Sequence, residues 1–266
     1  MSGSRTKLLE HTRQEQESVA FEVRCYATGA LSHWGRERMS IQTVWQRWRD
    51  LTRFRLACEM ALAAYRTTFA ELPFRNIAEA TVFDQNGPTR FECSHGEFLD
   101  ALQDDTRLYQ LLLVAHASLV EEFGRVVVSE IVDQQLAPRS AFPGLDPATN
   151  ASEAADDYIR RCNVEAWGGA LLTAARRDWS IVPGGAGAVV HAFVARNIVA
   201  HGATAYNQTA VNRLNGAAPG IFAIEAGTPF VLPRESFQLH LSRLRNFSRV
   251  ICGTPSRVRK NSMSRP

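Results

Sequence analysis

One short segment of the chain, residues 191–202, places an arginine, an asparagine and a histidine at spacings that suit chemistry on a phosphate group. Arg196 and Asn197 are adjacent, His201 follows one turn later, and Gly202 comes next. In an α-helix, Asn197 and His201 lie about 40° apart and share one face. Arg196 lies about 140° from His201. The two side chains can therefore meet only if Arg196 reaches around the helix or if the last turn unwinds at the glycine.

These three side chains are suited to cleaving RNA, because RNA supplies its own nucleophile, the 2′-hydroxyl group. An imidazole can remove the hydroxyl proton or protonate the leaving 5′-oxygen near neutral pH. A guanidinium can pair with the phosphate and with the additional charge of the transition state. We therefore expect His201 as the acid–base group and Arg196 as the phosphate ligand. Asn197 would orient His201 or a non-bridging oxygen, and this chemistry needs no metal ion or cofactor.

The Arg-x4-His spacing alone is weak evidence, because arginine is frequent in this chain. With 28 Arg and 7 His in 266 residues, chance predicts about 0.7 matches, and Arg90 and His95 form a second one. Requiring an asparagine directly after the arginine lowers the expected number to about 0.03. The structural alternative is that Asn197 and His201 are satisfied polar groups within an interface between helices.

Hydrophobic periodicity predicts that helices position this segment, so the fold class is expected to be mainly α. The predicted helices are Ile41–Glu71, Asp105–Leu136, a helix from Asn150 or Ser152 to about Ser180, Gly187–His201 and Arg234–Cys252. Gly202 is expected to end the fourth of these in a left-handed conformation. Two short hairpins are predicted, from Ala80–Asp84 with Thr89–Cys93 around Asn86-Gly87, and from Ile221–Ile224 with Pro229–Leu232 before the last helix.

Several other notable side chains have a structural interpretation that we favour. Trp45 and Trp48 stand beside a cluster of arginines, which could form a nucleic-acid surface but is more typical of the wet face of a helix whose tryptophans are core. Glu121 and Glu122 could reach the predicted cleft, although solvated positions are expected. His191, ten residues before His201, lies about 80° away from it around the helix. The two histidines are therefore not placed to bind one metal ion together.

Composition and charge narrow the class of protein. Apolar residues make up 45% of the chain and charged residues 21%, as in folded globular proteins. Five widely spaced cysteines without a CxxC pair argue against a disulfide scaffold or a zinc site, and residues 1–20 lack the apolar core of a secretory signal. We therefore expect a cytoplasmic protein without membrane segments. Residues 180–266 carry 10 basic and 2 acidic residues, which favours an anionic partner such as RNA.

The character of the chain changes near Asp105, where a polar, mixed region gives way to strongly apolar helices. This change predicts three parts. Residues 1–104 form an N-terminal accessory region of helix and small hairpin, without an assigned function. Residues 105–252 form the helical domain that carries the motif. Residues 253–266 are rich in serine and basic residues, which is typical of a disordered tail.

The segment Arg196-Asn-Ile-Val-Ala-His-Gly resembles the Arg-x4-6-His motif of the HEPN superfamily (higher eukaryotes and prokaryotes nucleotide-binding). The likeness continues through a polar loop with Asn207 and Asn212, a short hairpin, and a closing helix. In architecture it covers about residues 105–252, and in sequence pattern residues 196–251. The resemblance implies an all-α bundle with a β-hairpin before its last helix. It also implies a homodimer in which two Arg196, Asn197 and His201 sets form a composite cleft.

The resemblance and the residue chemistry together favour a metal-independent endoribonuclease, of a kind found in toxin–antitoxin and anti-phage systems. One histidine per chain poorly supplies both an acid and a base, whereas two copies across a two-fold axis supply both. The alternative is a non-catalytic helical module that binds RNA or a protein partner, such as an antitoxin or a sensor. A metal-dependent hydrolase is disfavoured, because neither HExxH nor suitably spaced His and Asp ligands occur in the sequence.

Overall fold

The helices of this chain account for most of what the computed structural model describes, which is residues 40–71, 82–83, 92–93, 97, 100–101, 103–146 and 149–263. They are α1 (Ile41–Glu71), α2 (Thr106–Asp133), α3 (Ala151–Arg161), α4 (Val164–Ala174), α5 (Gly185–Ala200), α6 (Gln208–Ala217), α7 (Arg234–Cys252) and α8 (Thr254–Met263). The prediction of a mainly α protein is confirmed. Two strands of two residues each, β1 (Val82–Phe83) and β2 (Glu92–Cys93), pair antiparallel with Val82 opposite Cys93. The Asn86-Gly87 turn predicted between them lies outside the described residues.

Helix α2 is the centre of the bundle, because apolar residues cover most of its surface. Helices α1, α3, α5 and α7 all pack against it, as expected for a helix that is hydrophobic on nearly every side. Its buried side chains include Tyr109, Leu112, Leu113, His116, Leu119, Val120, Phe123, Val127 and Ile131. None of the helices in the described part of the chain has the length and apolar character needed to cross a lipid bilayer.

Helix α1 has the predicted bounds and packs on α2 through its tryptophans. The ring of Trp45 lies 4.7 Å from that of Phe123, and the ring of Trp48 lies 4.8 Å from that of His116. Only 5% of Trp48 is exposed, which confirms its assignment to the core. Helix α1 belongs to the same compact unit as the other described helices, within residues 40–266. That residues 105–252 can fold without residues 1–104 stays a prediction.

The single helix predicted after residue 150 is instead two helices. Asn150 caps α3 as expected, because its side chain accepts a hydrogen bond of 2.9 Å from the Glu153 backbone N–H. The chain then becomes extended at Cys162 and Asn163 before α4 begins. The break allows α3 to bury Tyr158 against the α2 side of the core while α4 turns Trp167 toward Phe247 of α7, 5.5 Å between ring centroids. One straight helix could not direct both aromatic side chains into the core.

The segment between α5 and α7 corrects a second expectation. Within the described residues, 221–224 and 229–232 do not pair as a hairpin. Pro229 forms a bridge with Ala205 instead, and the Phe230 N–H donates to the Thr204 carbonyl at 2.8 Å. The loop predicted after the motif also contains a helix, α6, because the Asn207 side chain accepts a hydrogen bond from the Ala210 N–H and caps it. The returning chain therefore pairs with the residues that precede α6.

Helix α7 has the predicted bounds, but the chain after it differs from the prediction. Residues 253–266 were expected to be disordered, whereas Thr254–Met263 forms helix α8. The helix is held because Thr254 and Val258 are buried, and because Arg259 lies 4.0 Å from Glu130 of α2. A single valine among basic residues is too short a pattern to reveal this packing from the sequence.

Candidate functional site

The motif occupies the last turn of α5, a helix that is otherwise buried. Hydrogen bonds from the Gly202 N–H to the Val199 carbonyl and from the Ala203 N–H to the Ile198 carbonyl close the helix. This is the Schellman arrangement, and Gly202 has the left-handed φ of 65° that it requires. The predicted role of Gly202 as the helix terminator is confirmed. The last turn stays helical up to Ala200, so it does not unwind to bring Arg196 toward His201.

Arg196 and Asn197 are in direct contact with each other. An Nη1 hydrogen of Arg196 is donated to Oδ1 of Asn197 at 2.9 Å, and Nη2 lies at a longer 3.5 Å from Oε2 of Glu121 on α2. Glu121, which was expected to be solvated, therefore faces the motif arginine. The buried Nε of Arg196 has no hydrogen-bond partner in the described part of the chain. Arg196 thus retains one donor that a ligand could satisfy.

These side chains line a cavity of about 330 Å³ that is open to solvent on one side and bordered by helices α2 to α6. Its walls combine four arginines, two asparagines and one carboxylate with apolar side chains. The lining residues are Glu121, Arg125, Ile159, Arg160, Cys162, Asn163, Val164, Trp167, Phe193, Arg196, Asn197 and Arg213. The volume lies at the lower end of the range of small-molecule sites, about 300–1,000 Å³. It is large enough for a phosphate group or a small part of a nucleotide.

The other arginines of the cavity are fixed by carboxylates just outside it. Arg213 of α6 makes two hydrogen bonds to Glu165 of α4, at 2.6 and 2.7 Å. Arg125 of α2 lies 2.8 Å from Glu122 and 2.9 Å from Asp156. These pairs hold the guanidinium planes in place and partly neutralise them. An anion in the cavity would therefore compete with carboxylates for the same donors.

The N-terminus of α4 also opens into the cavity. Asn163 stands at its N-cap position, but its side chain makes no capping hydrogen bond. Free backbone N–H groups at a helix start attract anions, which adds to the positive character of the arginines. Burial raises the pKa of the nearby Cys162 thiol, so this cysteine is protonated at neutral pH and is a poor nucleophile.

His201 lies outside the cavity. It is exposed at the end of α5, and its imidazole forms no hydrogen bond or ion pair within the described part of the chain. The structure therefore brings Arg196 and Asn197 together and leaves His201 on the surface, one turn further along the helix. The second Arg-x4-His match, Arg90 with His95, lies outside the described residues.

A second polar cluster lies near the middle of the same helix. His191 Nδ1 accepts a hydrogen bond of 3.1 Å from Arg243, which fixes Nε2 as the protonated nitrogen facing the Tyr206 hydroxyl at 3.4 Å. The ring of His191 also lies 4.8 Å from that of His240. Burial, reinforced by the charge of Arg243, lowers the pKa of His191 to about 4. Burial, with His191 and Arg243 nearby, lowers the pKa of His240 to about 3.

Sequence reasoning missed the partners that surround the motif. Glu165 and Arg213 are 48 residues apart, and Glu121 is 75 residues from Arg196. No local spacing can reveal such pairs, since they depend on how the helices pack. Within the described residues, no group of three or more His, Cys, Asp or Glu side chains is arranged to hold a metal ion.

Comparison of the chain with protein-family models, with curated proteins and with solved structures finds no match. The geometry of the cavity and of the adjoining helix end therefore provides the basis for inferring function.

Proposed function

We propose that the chain is a metal-independent endoribonuclease with a HEPN-like helical bundle, in which Arg196, Asn197 and His201 act on the RNA. The observation that carries the proposal is the end of α5. There, Arg196 and Asn197 are joined at 2.9 Å in the wall of a cavity, one turn from the exposed His201. The arrangement offers fixed donors for a phosphate beside a histidine that solvent and substrate can reach.

The proposed reaction is transesterification within the RNA. A base removes the proton of the 2′-hydroxyl, and the 2′-oxygen attacks the adjacent phosphorus. The bond from phosphorus to the 5′-oxygen breaks, and an acid protonates that oxygen. The products are a 2′,3′-cyclic phosphate and a 5′-hydroxyl. In this scheme His201 moves the proton and Arg196 stabilises the charge on the phosphate, while Asn197 holds the arginine in position.

The proposal includes a homodimer, because the base and the acid are different groups at the moment of reaction. Two His201 residues related by a two-fold axis can serve as base and acid in turn. The exposure of His201 beyond the cavity of its own chain suits such a shared cleft. A toxin or anti-phage effector, held in check by an antitoxin or sensor protein, is the setting that we infer. A cytoplasmic location fits the free thiols of Cys58, Cys162 and Cys252.

The deciding experiment is an RNA cleavage assay with the full-length chain in EDTA. We expect cleavage products whose 5′-ends are phosphorylated by a polynucleotide kinase without prior phosphatase treatment, as 5′-hydroxyl ends are. His201→Ala should reduce the rate by roughly 10²–10⁴-fold, and Arg196→Ala by a similar factor. Neither change should lower the melting temperature much, since neither side chain belongs to the core.

His95→Ala is the matched control, because it disrupts the other Arg-x4-His match, and its cleavage rate should equal that of the wild type. An unchanged rate together with a lowered melting temperature in His201→Ala would mean that the motif is structural. The enzyme proposal would then be dropped.

The second candidate is a non-catalytic module that binds RNA or a protein through the same face. Two observations favour it. The charge of Arg196 is already partly balanced by Glu121, and His201 does not face the cavity of its own chain. This candidate predicts that wild-type protein binds RNA or a partner without cutting RNA in EDTA. It also predicts that Arg196→Ala weakens binding whereas His201→Ala does not.

A further inference from the structure

The last two helices carry an unusual set of arginines. Residues 234–263 contain seven basic residues and one acidic residue. Some exposed arginines elsewhere have carboxylate partners, such as Arg53 with Asp50. In contrast, Arg245, Arg249 and Arg257 form no side-chain hydrogen bond or ion pair within the part of the chain that the structure describes. No described residue therefore pairs with their charge.

These arginines are exposed on two consecutive helices, Arg245 and Arg249 on α7 and Arg257 on α8. Arg245 and Arg249 are one turn apart on α7 and share its outer face, while the opposite face of α7 buries Leu244 and Phe247. The backbone stays in the right-handed helical region at Gly253, φ −80°, so α8 follows directly. Because α8 is anchored by buried side chains, the exposed Arg257 is held on the bundle and does not move with a loose tail.

We propose that Arg245, Arg249 and Arg257 form a stripe, here called the α7–α8 stripe, that binds the phosphate backbone of RNA outside the cavity. Guanidinium groups pair well with phosphates and remain charged at every relevant pH. From Ser242 to Lys260, every exposed residue is serine, arginine or lysine. A helix that lies on a membrane surface needs exposed apolar residues to insert among the lipids, and this stretch has none. The choice of RNA over an acidic protein rests on the proposed function.

The test uses full-length protein carrying His201→Ala, so that the RNA is bound but not cut. Binding of a fluorescein-labelled single-stranded RNA is measured by anisotropy over a range of salt concentrations. Each phosphate contact contributes about 0.7 to the slope of log affinity against log salt for single strands. The triple variant Arg245→Gln, Arg249→Gln and Arg257→Gln should therefore reduce that slope by about 2, and weaken binding most at low salt.

The control variant removes the same net charge from arginines that already have polar partners. It combines Arg53→Gln, Arg107→Gln and Arg161→Gln, whose side chains contact Asp50, Gln110 and Asp157. The control should keep the wild-type slope and affinity. Equal slopes for the two variants would overturn the proposal, since net charge alone would then determine how binding depends on salt. Binding of wild type to phosphatidylserine vesicles but not to RNA would also overturn it.

Failure of the stripe can be distinguished from failure of the ribonuclease proposal. If wild-type protein cuts RNA but the stripe variant binds it with unchanged slope, the stripe alone is wrong. If wild-type protein never cuts RNA while the stripe variant loses slope, the stripe stands and the catalytic role of the motif does not. Because the stripe contacts phosphates only, single-stranded DNA of the same sequence should bind with a similar slope and resist cleavage.

Discussion

Helix α5 carries two histidines, and the difference between them shows what the fold does to a titratable group. His191, near the middle of the helix, lies against Arg243, His240 and Tyr206 and is kept neutral by burial. His201, ten residues later, is exposed at the helix end without a partner in the described residues. Only the second is open to solvent and substrate at the surface. Residue type alone did not separate them, since both are histidines on one helix.

The largest effect that we expect from the burial of histidines is on how the free energy of unfolding depends on pH. His116 and His240 are buried and His191 is partly buried, and burial lowers the pKa of His116 to about 4. In the unfolded chain each of these histidines takes up a proton near its ordinary value of about 6.5. Above that pH these histidines therefore do not lower the free energy of unfolding, and they lower it progressively as the pH drops toward 4. Each histidine should contribute a loss of about 1.4 kcal/mol per pH unit in this window.

Urea denaturation at a series of pH values between about 7 and 5 measures this slope. His116→Gln should flatten the profile whatever its effect on absolute stability, because glutamine does not titrate. A profile that is already flat in the wild-type protein would contradict the burial of all three histidines.

A smaller effect separates the two α5 histidines at constant pH. His191→Ala removes the acceptor of Arg243 and the ring that packs on His240, and it leaves a half-buried arginine without its hydrogen-bond partner. We expect a loss of about 1–3 kcal/mol in the free energy of unfolding. His201→Ala removes an exposed side chain and should change stability by no more than about 0.5 kcal/mol. Urea denaturation at neutral pH measures both values.

The prediction is contradicted if His201→Ala lowers the free energy of unfolding as much as His191→Ala does, or more. Such a result would mean that His201 has a structural contact comparable to that of His191. The acid–base role proposed for His201 would then lose its main support, which is that its imidazole is free to act.

The sequence was most informative where one short pattern determines the structure. The long runs of α1 and α7 were predicted with their observed bounds, because apolar residues recur at helical spacing through each of them. Gly202 was predicted as the terminator of α5, because a left-handed helix end favours glycine. In these elements local preference and tertiary packing agree.

The remaining features depend on contacts between distant parts of the chain. The break at Cys162 and Asn163 follows from the need of α3 and α4 to reach different parts of the core. The bridge between Ala205 and Pro229 replaces a hairpin that the β-prone residues nearby had suggested. Of the candidate site, the adjacent Arg196 and Asn197 were predictable from spacing. The contact of Arg196 with Glu121 required the packing of α5 on α2.

The smallest predicted effect concerns the glycine that separates His201 from the following loop. Gly202 has φ 65°, and no neighbouring atom lies within 4 Å of the position where a Cβ would be added. Gly202→Ala should therefore destabilise the fold by about 1 kcal/mol through backbone strain alone. Gly216→Ala is the matched control, because Gly216 also has open space around it but stands within helix α6. That substitution should stabilise by about 0.5–1 kcal/mol. Thermal or urea denaturation should show these opposite signs.

The same variant tests the position of His201. If Gly202→Ala lowers the rate of RNA cleavage by more than its loss of folded protein accounts for, the helix end sets the position of His201. Unchanged cleavage would mean that an exposed histidine at this end acts without fine positioning.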